Sequence, residues 1–271
     1  MANGKFSGPF RQSLLKLYSM CPRKFKLLEV DGIEVEAEKS DALLKGTYVH
    51  EVINDFHKKR KVNLKKYNIP PEIKDEVSEL VDCYIQHNAE IEVIHSEIEF
   101  GFKICRYDIQ GTIDLIYRDK NGQTVLRDIK TDQAEPTPEY LSRDLQFSIY
   151  YLGALKGLGI QVDRLEWFQL RNLLPYKRRT TRNGVEFQPG DIRGCPSIPV
   201  SRKVEDIPNI KQEIKYFIQA ITHGVFPMRP LKIGRFSPCD NCEVGDYCKP
   251  MGEIVKQRTE FNDLQGFAGY F

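Results

Sequence analysis

Gly111-Thr-Ile-Asp114-Leu-Ile-Tyr-Arg-Asp119-Lys-Asn-Gly122-Gln-Thr-Val-Leu-Arg-Asp128-Ile-Lys130 is the stretch from which the rest of the chain is read. Apolar and polar residues alternate over Tyr107–Arg118, the period of a half-buried strand. Asp119-Lys-Asn-Gly122 is a hairpin turn signal, and residues 125–131 resume a strand pattern. Side chains two apart on a strand share a face, so Asp128 and Lys130 project together while Ile129 points into the opposite layer. Pairing through the turn brings Asp114 alongside them. Two carboxylates and an ammonium on one patch are costly unless a divalent cation occupies it. Such a patch suits phosphodiester hydrolysis: carboxylates hold Mg2+ or Mn2+, and the lysine orients water or offsets developing charge.

Upstream, the alternation extends over 94–104, and three helical patterns precede it. Residues 13–20 carry Leu14, Leu15 and Leu17 until Cys21-Pro22 ends the run. Ser40-Asp41 caps a helix with Leu43, Leu44, Val49, Ile53 and Phe56 on one face, closing in the basic run His57-Lys-Lys-Arg-Lys61. Pro70-Pro71 opens a third, with Ile73, Val77, Leu80, Val81 and Tyr84 at helical spacing. Downstream come a helix over 138–155, a strand over 164–171, a hairpin turning at Asn183-Gly184, a helix over 204–222 and a Cys-rich end. This order predicts an α/β fold, a mixed central sheet flanked by helices, as one domain spanning 1–271 and elaborated at both ends.

Composition fits a globular protein: 271 residues, 41% hydrophobic and 29% charged. No apolar run reaches the length of a membrane span, and residues 1–12 lack the apolar middle of a secretory signal. The expectation is a cytoplasmic protein without a membrane partner. A net charge of +2, from 40 basic and 38 acidic side chains, neither demands nor excludes nucleic acid. Seven cysteines is an odd number, and a reducing compartment argues against a disulfide framework.

Two further features bear on the acidic patch. His50 lies in Gly46-Thr-Tyr-Val-His50-Glu51; a lone helical histidine is more often packed or solvated than a ligand. Gln146-Phe-Ser-Ile-Tyr150 places an amide and a phenol four apart, on one helix face. Glu97 and Glu99 are read as solvated strand residues before they are read as ligands. The ordered set His50, Gly111-Thr-Ile-Asp114, Asp128-Ile-Lys130 and Gln146-x-x-x-Tyr150 resembles the RecB-type nuclease domain of the PD-(D/E)XK superfamily, over roughly residues 12–250. The resemblance implies a restriction-endonuclease-like core. It also implies His50, Asp114, Asp128 and the Ile129 carbonyl as ligands of Mg2+ or Mn2+, Lys130 as catalytic lysine, and Gln146 and Tyr150 as an added catalytic motif. Asp128 stands where many relatives carry Glu, a shorter reach to the same metal.

Cys239-x-x-Cys242-x5-Cys248 supplies three soft ligands, and a tetrahedral site needs a fourth. Cys21, before Pro22, is the better candidate and Cys195 the competitor; Cys83 and Cys105 are read as small hydrophobes within a helix and a strand. Four thiolates suit zinc and an iron–sulfur cluster almost equally. The N-terminal Cys-Pro and a C-terminal set closing in Cys248-Lys-Pro250 resemble the iron–sulfur staple of AddB-type helicase-nucleases and of the CRISPR-adaptation exonuclease family. That implies a [4Fe–4S] cluster on Cys21, Cys239, Cys242 and Cys248, with zinc as the alternative. Cys21 and residues 239–248 would then form an iron–sulfur subdomain around a core of 40–222.

Basic residues cluster at Lys58-Lys-Arg-Lys61 with Lys65 and Lys66, and at Tyr176-Lys-Arg-Arg179 through Arg182, where Tyr176 can stack on a base. The aromatic end, 265–271, packs on the domain or docks on a partner or a second copy. The expectation is an Mg2+- or Mn2+-dependent DNA exonuclease acting on single strands or duplex ends, in recombination, repair or CRISPR spacer acquisition. The rival is a non-catalytic iron–sulfur subunit that binds DNA or assembles a nuclease complex; the intact set His50, Asp114, Asp128 and Lys130 weighs against it. A hydrolase using the cysteines catalytically fails because four thiolates leave no open coordination position.

Overall fold

The computed structural model describes Phe6 and residues 8–35, 41–131, 136–170, 176–181, 184–189, 195–228, 239 and 242–248; within 176–189 it describes the backbone alone. In chain order the elements begin with β1 (Phe10–Arg11), α1 (Gln12–Met20) and the short α2 (Pro22–Phe25), then α3 (Asp41–Lys59) and α4 (Pro71–Asn88). Three strands follow, β2 (Glu92–Ile104), β3 (Tyr107–Arg118) and β4 (Thr124–Lys130). After α5 (Pro138–Arg143) and α6 (Leu145–Leu152) come β5 (Arg164–Gln169), β6 (Tyr176–Thr181), β7 (Gly184–Pro189), β8 (Ser197–Val200) and α7 (Ile207–Thr222). By contacts the chain divides into two compact units: Pro9–Ser13 with Glu38–Lys215, and Leu14–Ala37 with the chain from Tyr216 onward.

The larger unit is built on a mixed six-stranded sheet, with β6 and β7 forming a separate antiparallel pair. β2 pairs antiparallel with β3 along nearly its whole length. On its other side β3 pairs with β1 at Ile109 and Gln110 and with β4 only from Leu115 to Arg118. Past Arg127, β4 leaves β3 and continues parallel to β5, through Asp128–Trp167 and Lys130–Gln169. The sheet therefore opens at residues 111–114 of β3, and polar groups there can turn to something other than a ladder.

Alternation sets the two faces. Leu115, Tyr117, Val125, Ile129 and Phe168 join a buried cluster with Val49, Val52, Ile53 and Phe56 of α3 and Ile73, Val77, Leu80, Val81 and Tyr84 of α4. From the other face Trp167 meets Phe147 of α6 and Tyr140 of α5 at ring distances of 6.5 and 6.4 Å. Ile129 lies in the first layer, as its alternation predicts. Leu43, expected on the apolar face of α3, is instead 58% exposed.

One helix was expected over 138–155, but the chain breaks at Asp144. That residue is extended, and its Oδ1 accepts the N–H groups of Gln146 and Phe147 at 2.7 and 3.3 Å, capping α6. Arg202, far along the chain, fixes the break by donating to the carbonyls of Leu141 and Asp144. After Leu152 the helix widens into a π turn, Gly153–Gly157. A Cβ on Gly157 would stand 2.9 Å from the Gly101 carbonyl, and one on Gly153 would meet the Phe100 ring; glycine lets this turn lie directly on β2. Likewise 204–206 form a 3-10 turn ahead of α7, and the strand expected over 164–171 ends at Gln169.

The cysteine expectations need correction. Cys83 and Cys195 are joined in a disulfide, so Cys195 does not compete as a fourth thiolate. Cys105 is exposed in the turn between β2 and β3 at φ 54°, not packed in a strand. The basic run after α3 is partly neutralised: Lys59 and Lys66 both reach Asp55, at 3.2 and 2.5 Å. Side chains of 176–189, Arg182 and the aromatic end lie outside the described residues. Among the described residues no helix is long and apolar enough to cross a membrane.

Candidate active site

Where β3 and β4 part, Asp114 fills the gap: its Oδ2 accepts the Ile129 N–H at 2.7 Å, a backbone donor that a continued ladder would have taken. Asp128, fully buried, accepts from the Lys130 ammonium at 2.8 Å and from the Gln146 amide at 2.8 Å. The same Gln146 amide donates to the Tyr150 hydroxyl at 2.9 Å. Strand alternation thus joins Asp128 to Lys130, and helical spacing joins Gln146 to Tyr150, with Asp128 as the meeting point.

His50 arrives from α3. Its Nδ1 lies 3.1 Å from Glu97 Oε1 and 4.0 Å from Asp114 Oδ2, and its Nε2 lies 3.0 Å from the Ile129 carbonyl. Both hydrogen-bonded partners are acceptors, so both ring nitrogens donate and the imidazole is held as a cation. Burial opposes that charge, but the Glu97 hydrogen bond and the Asp114 and Glu97 carboxylates outweigh it and raise the pKa to about 9. Burial also raises Asp114, against the pull of His50 and Lys130. Lys130 is disfavoured by burial yet held charged by Asp128 and Asp114. Tyr150 is pushed well above its ordinary value by burial and then by the two aspartates, so it stays a neutral phenol.

Ligand atoms of His50, Glu97 and Asp114 lie within 4.8 Å of one another. Glu97, expected among the solvated strand residues, is half-buried and takes φ 50°, a left-handed backbone that a glutamate adopts at a cost. It lies between the paired steps Ser96–Leu115 and Ile98–Ile113, level with Asp114. Glu99, by contrast, is exposed. No local pattern singles out Glu97; only its place opposite Asp114 does. The chain therefore offers an imidazole, two carboxylates and the Ile129 carbonyl, with the His50 proton occupying the position of positive charge. Oxygen donors with one imidazole fit a hard or borderline divalent cation, and the imidazole favours Mn2+ over Mg2+.

Two cavities open beside the patch. One, about 730 Å³, is lined by Asp114, Tyr150, Gly111, Thr112, Arg11 and the nine-tenths buried Gln12. The other, about 530 Å³, is lined by His50, Thr131, Gly46, Thr47 and the exposed Leu43.

In the smaller unit Cys21 caps α2, accepting the Lys24 N–H at 3.4 Å, and a chain of turns bonds Cys242 to Cys239 and Cys248 to Val244. The Cys248 thiol is pushed up by burial, opposed by Arg23, and raised further by the neighbouring Cys21 and Cys242 sulfurs.

The family model described as the PD-(D/E)XK nuclease superfamily matches residues 10–249. Among solved structures, SSO0001 is 14% identical, with 88% of this chain and 95% of that chain covered and a TM-score of 0.34. LHK-Exo in complex with dAMP is 13% identical, covering 80% and 89%, with a TM-score of 0.39. The alkaline exonuclease LHK-Exo from Laribacter hongkongensis is 13% identical, covering 66% and 79%, with a TM-score of 0.34. No curated protein matches this chain.

Proposed function

The chain belongs to the PD-(D/E)XK nuclease superfamily, and from that premise we propose that it is a divalent-metal-dependent DNA nuclease acting at the patch where β3 and β4 part. The observation that carries the reading is the convergence of His50, Glu97 and Asp114 within 4.8 Å of one another, beside Asp128 and Lys130 in contact at 2.8 Å. His50, Glu97, Asp114 and the Ile129 carbonyl would hold the cation, with Asp128 completing the acidic set; when bound it supplies Lewis-acid charge at the scissile phosphate. Lys130, kept cationic by the aspartates, orients the attacking water and offsets charge on the phosphate. Gln146 holds Asp128 and Lys130 in register, and Tyr150 presents a neutral hydroxyl toward the larger cavity. The two cavities beside the patch give a strand room to approach it, with Leu43 exposed for contact with a base.

A strand threaded past one patch suits exonucleolytic digestion of single strands or duplex ends, in recombination, repair or CRISPR spacer acquisition. End-labelled single-stranded DNA incubated with Mn2+ tests it. Wild type should cleave, while Asp128→Ala and Lys130→Ala should each lower the rate by at least about a hundredfold and still bind DNA. A wild type that binds DNA but shows no cleavage under any divalent metal would favour the non-catalytic assembly subunit.

For the smaller unit the reading is a [4Fe–4S] cluster on Cys21, Cys239, Cys242 and Cys248, which would make an iron–sulfur subdomain. Cys21 and Cys242 lie near enough to act on the Cys248 thiol, so three of the four candidate thiolates stand in one neighbourhood. Anaerobically purified protein should be brown and carry about four iron atoms per chain; colourless protein with one zinc would reverse the assignment.

A further inference from the structure

Away from the acidic patch, the larger unit gathers a second set of metal-ligating groups: Cys83, His87 and Cys195, with ligand atoms within 4.8 Å of one another. Cys83 and His87 sit four apart on α4, on one face, with His87 Nδ1 3.9 Å from the Cys83 sulfur. Cys195 comes from 112 residues farther on, just ahead of β8, and is buried in the cluster that includes Tyr84, Phe168 and Leu170. Cys83 is half-buried and His87 exposed, so the set runs from the core to the surface and a solute can reach its outer edge. The two sulfurs are joined as a cystine, with the imidazole beside it.

We propose that reduction of this cystine turns it into a binding site for a zinc-class cation, with Cys83, His87 and Cys195 as ligands and solvent at the fourth position. A dithiol reductant breaks the sulfur–sulfur bond, gives each cysteine a hydrogen and leaves as its own disulfide. The two thiols then release two protons as Zn2+ binds, while the imidazole proton moves from Nδ1, now bonded to the Cys83 carbonyl at 2.8 Å, to Nε2. Two thiolates and an imidazole are soft donors and select Zn2+ over the Mg2+ or Mn2+ suited to the acidic patch. Crosslink and metal alike tie the chain just after the β6–β7 hairpin to α4, so the hairpin's return stays anchored in either redox state.

The test is metal binding by the full-length chain after reduction by a dithiol. Wild type should take up one more equivalent of Zn2+ than Cys83→Ser, with iron content equal in the two. With Co2+ in place of Zn2+, wild type should show thiolate charge-transfer and tetrahedral d–d bands in excess of those of Cys83→Ser. His87→Ala alters an exposed side chain, so it keeps the fold. It should weaken Zn2+ binding, measured against a competing chelator, by at least about tenfold, since a direct ligand matters more than the outer-shell groups whose loss costs that much. Equal zinc content and equal Co2+ spectra in wild type and Cys83→Ser would overturn the proposal. So would a wild-type cystine that persists under the reductant, seen by thiol alkylation and mass, with no added zinc bound.

Discussion

His50 spans two acceptors, the Glu97 carboxylate and the Ile129 carbonyl, and its proton does the electrostatic work that a divalent cation would take over. Metal affinity should follow from that competition. In the metal-free protein the imidazole keeps its proton up to about pH 9, so a metal must displace it at neutral pH. Mn2+ affinity measured by calorimetry should therefore rise with pH between 6 and 9, by up to about tenfold per unit, with proton release, and level off above. His50→Gln should bind more weakly with a flatter pH dependence; an unchanged slope would remove His50 from the ligand set. The same shift makes a stability statement. The folded pKa is raised above the ordinary 6.5, so the contribution is fully present below about pH 6.5 and lost as pH rises through about 9. Asp128 and Lys130 were readable as a pair from strand period alone. Glu97 was not, because its role depends on a left-handed backbone and on Asp114 across the ladder.

At the scale of elements, the site depends on three interruptions of regular structure. β4 leaves β3 after Arg127, Asp144 splits α5 from α6, and the π turn after Leu152 seats the chain on β2. The last of these gives a direct test. Gly157→Ala would push a methyl to 2.9 Å from the Gly101 carbonyl and 3.3 Å from its nitrogen, and these are backbone atoms of β2 with little room to yield. We expect a loss of about 1–3 kcal/mol in denaturant unfolding; a stable variant would mean that the turn can slide along the strand. Turn and strand signals at 119–122 and 107–118 carried through to the structure, since hairpin turns are decided by neighbouring residues. The single helix expected over 138–155 did not. Asp144 has a helix-compatible sequence context, and the Arg202 guanidinium that holds its carbonyl comes from 58 residues away.

At the scale of the whole molecule, a net charge of +2 means that the proposed DNA contact would fall to local clusters. The run after α3 is diminished as a phosphate contact by the pairing of Lys59 and Lys66 with Asp55. That leaves the β6–β7 hairpin, whose sequence carries Lys177, Arg178 and Arg179, as the better candidate. Arg178→Ala with Arg179→Ala should weaken single-stranded DNA binding and lower the slope of log affinity against log salt by about one to two. An unchanged slope would exclude the hairpin from the contact surface. What the amino-acid order determined by itself was periodic and local: the strands, their turn, the helical faces, and the shared side of Asp128 and Lys130. These follow from repeats of two and of 3.6 residues, which neighbouring residues impose without help. Only the tertiary structure decided the partners: Glu97 opposite Asp114, His50 against Ile129, Gln146 against Asp128, Cys195 against Cys83. Periodicity tells which way a side chain faces, but not what lies across the gap. Those partners are brought together by burial of a core assembled from distant segments, and the acidic patch stands where β3 and β4 part.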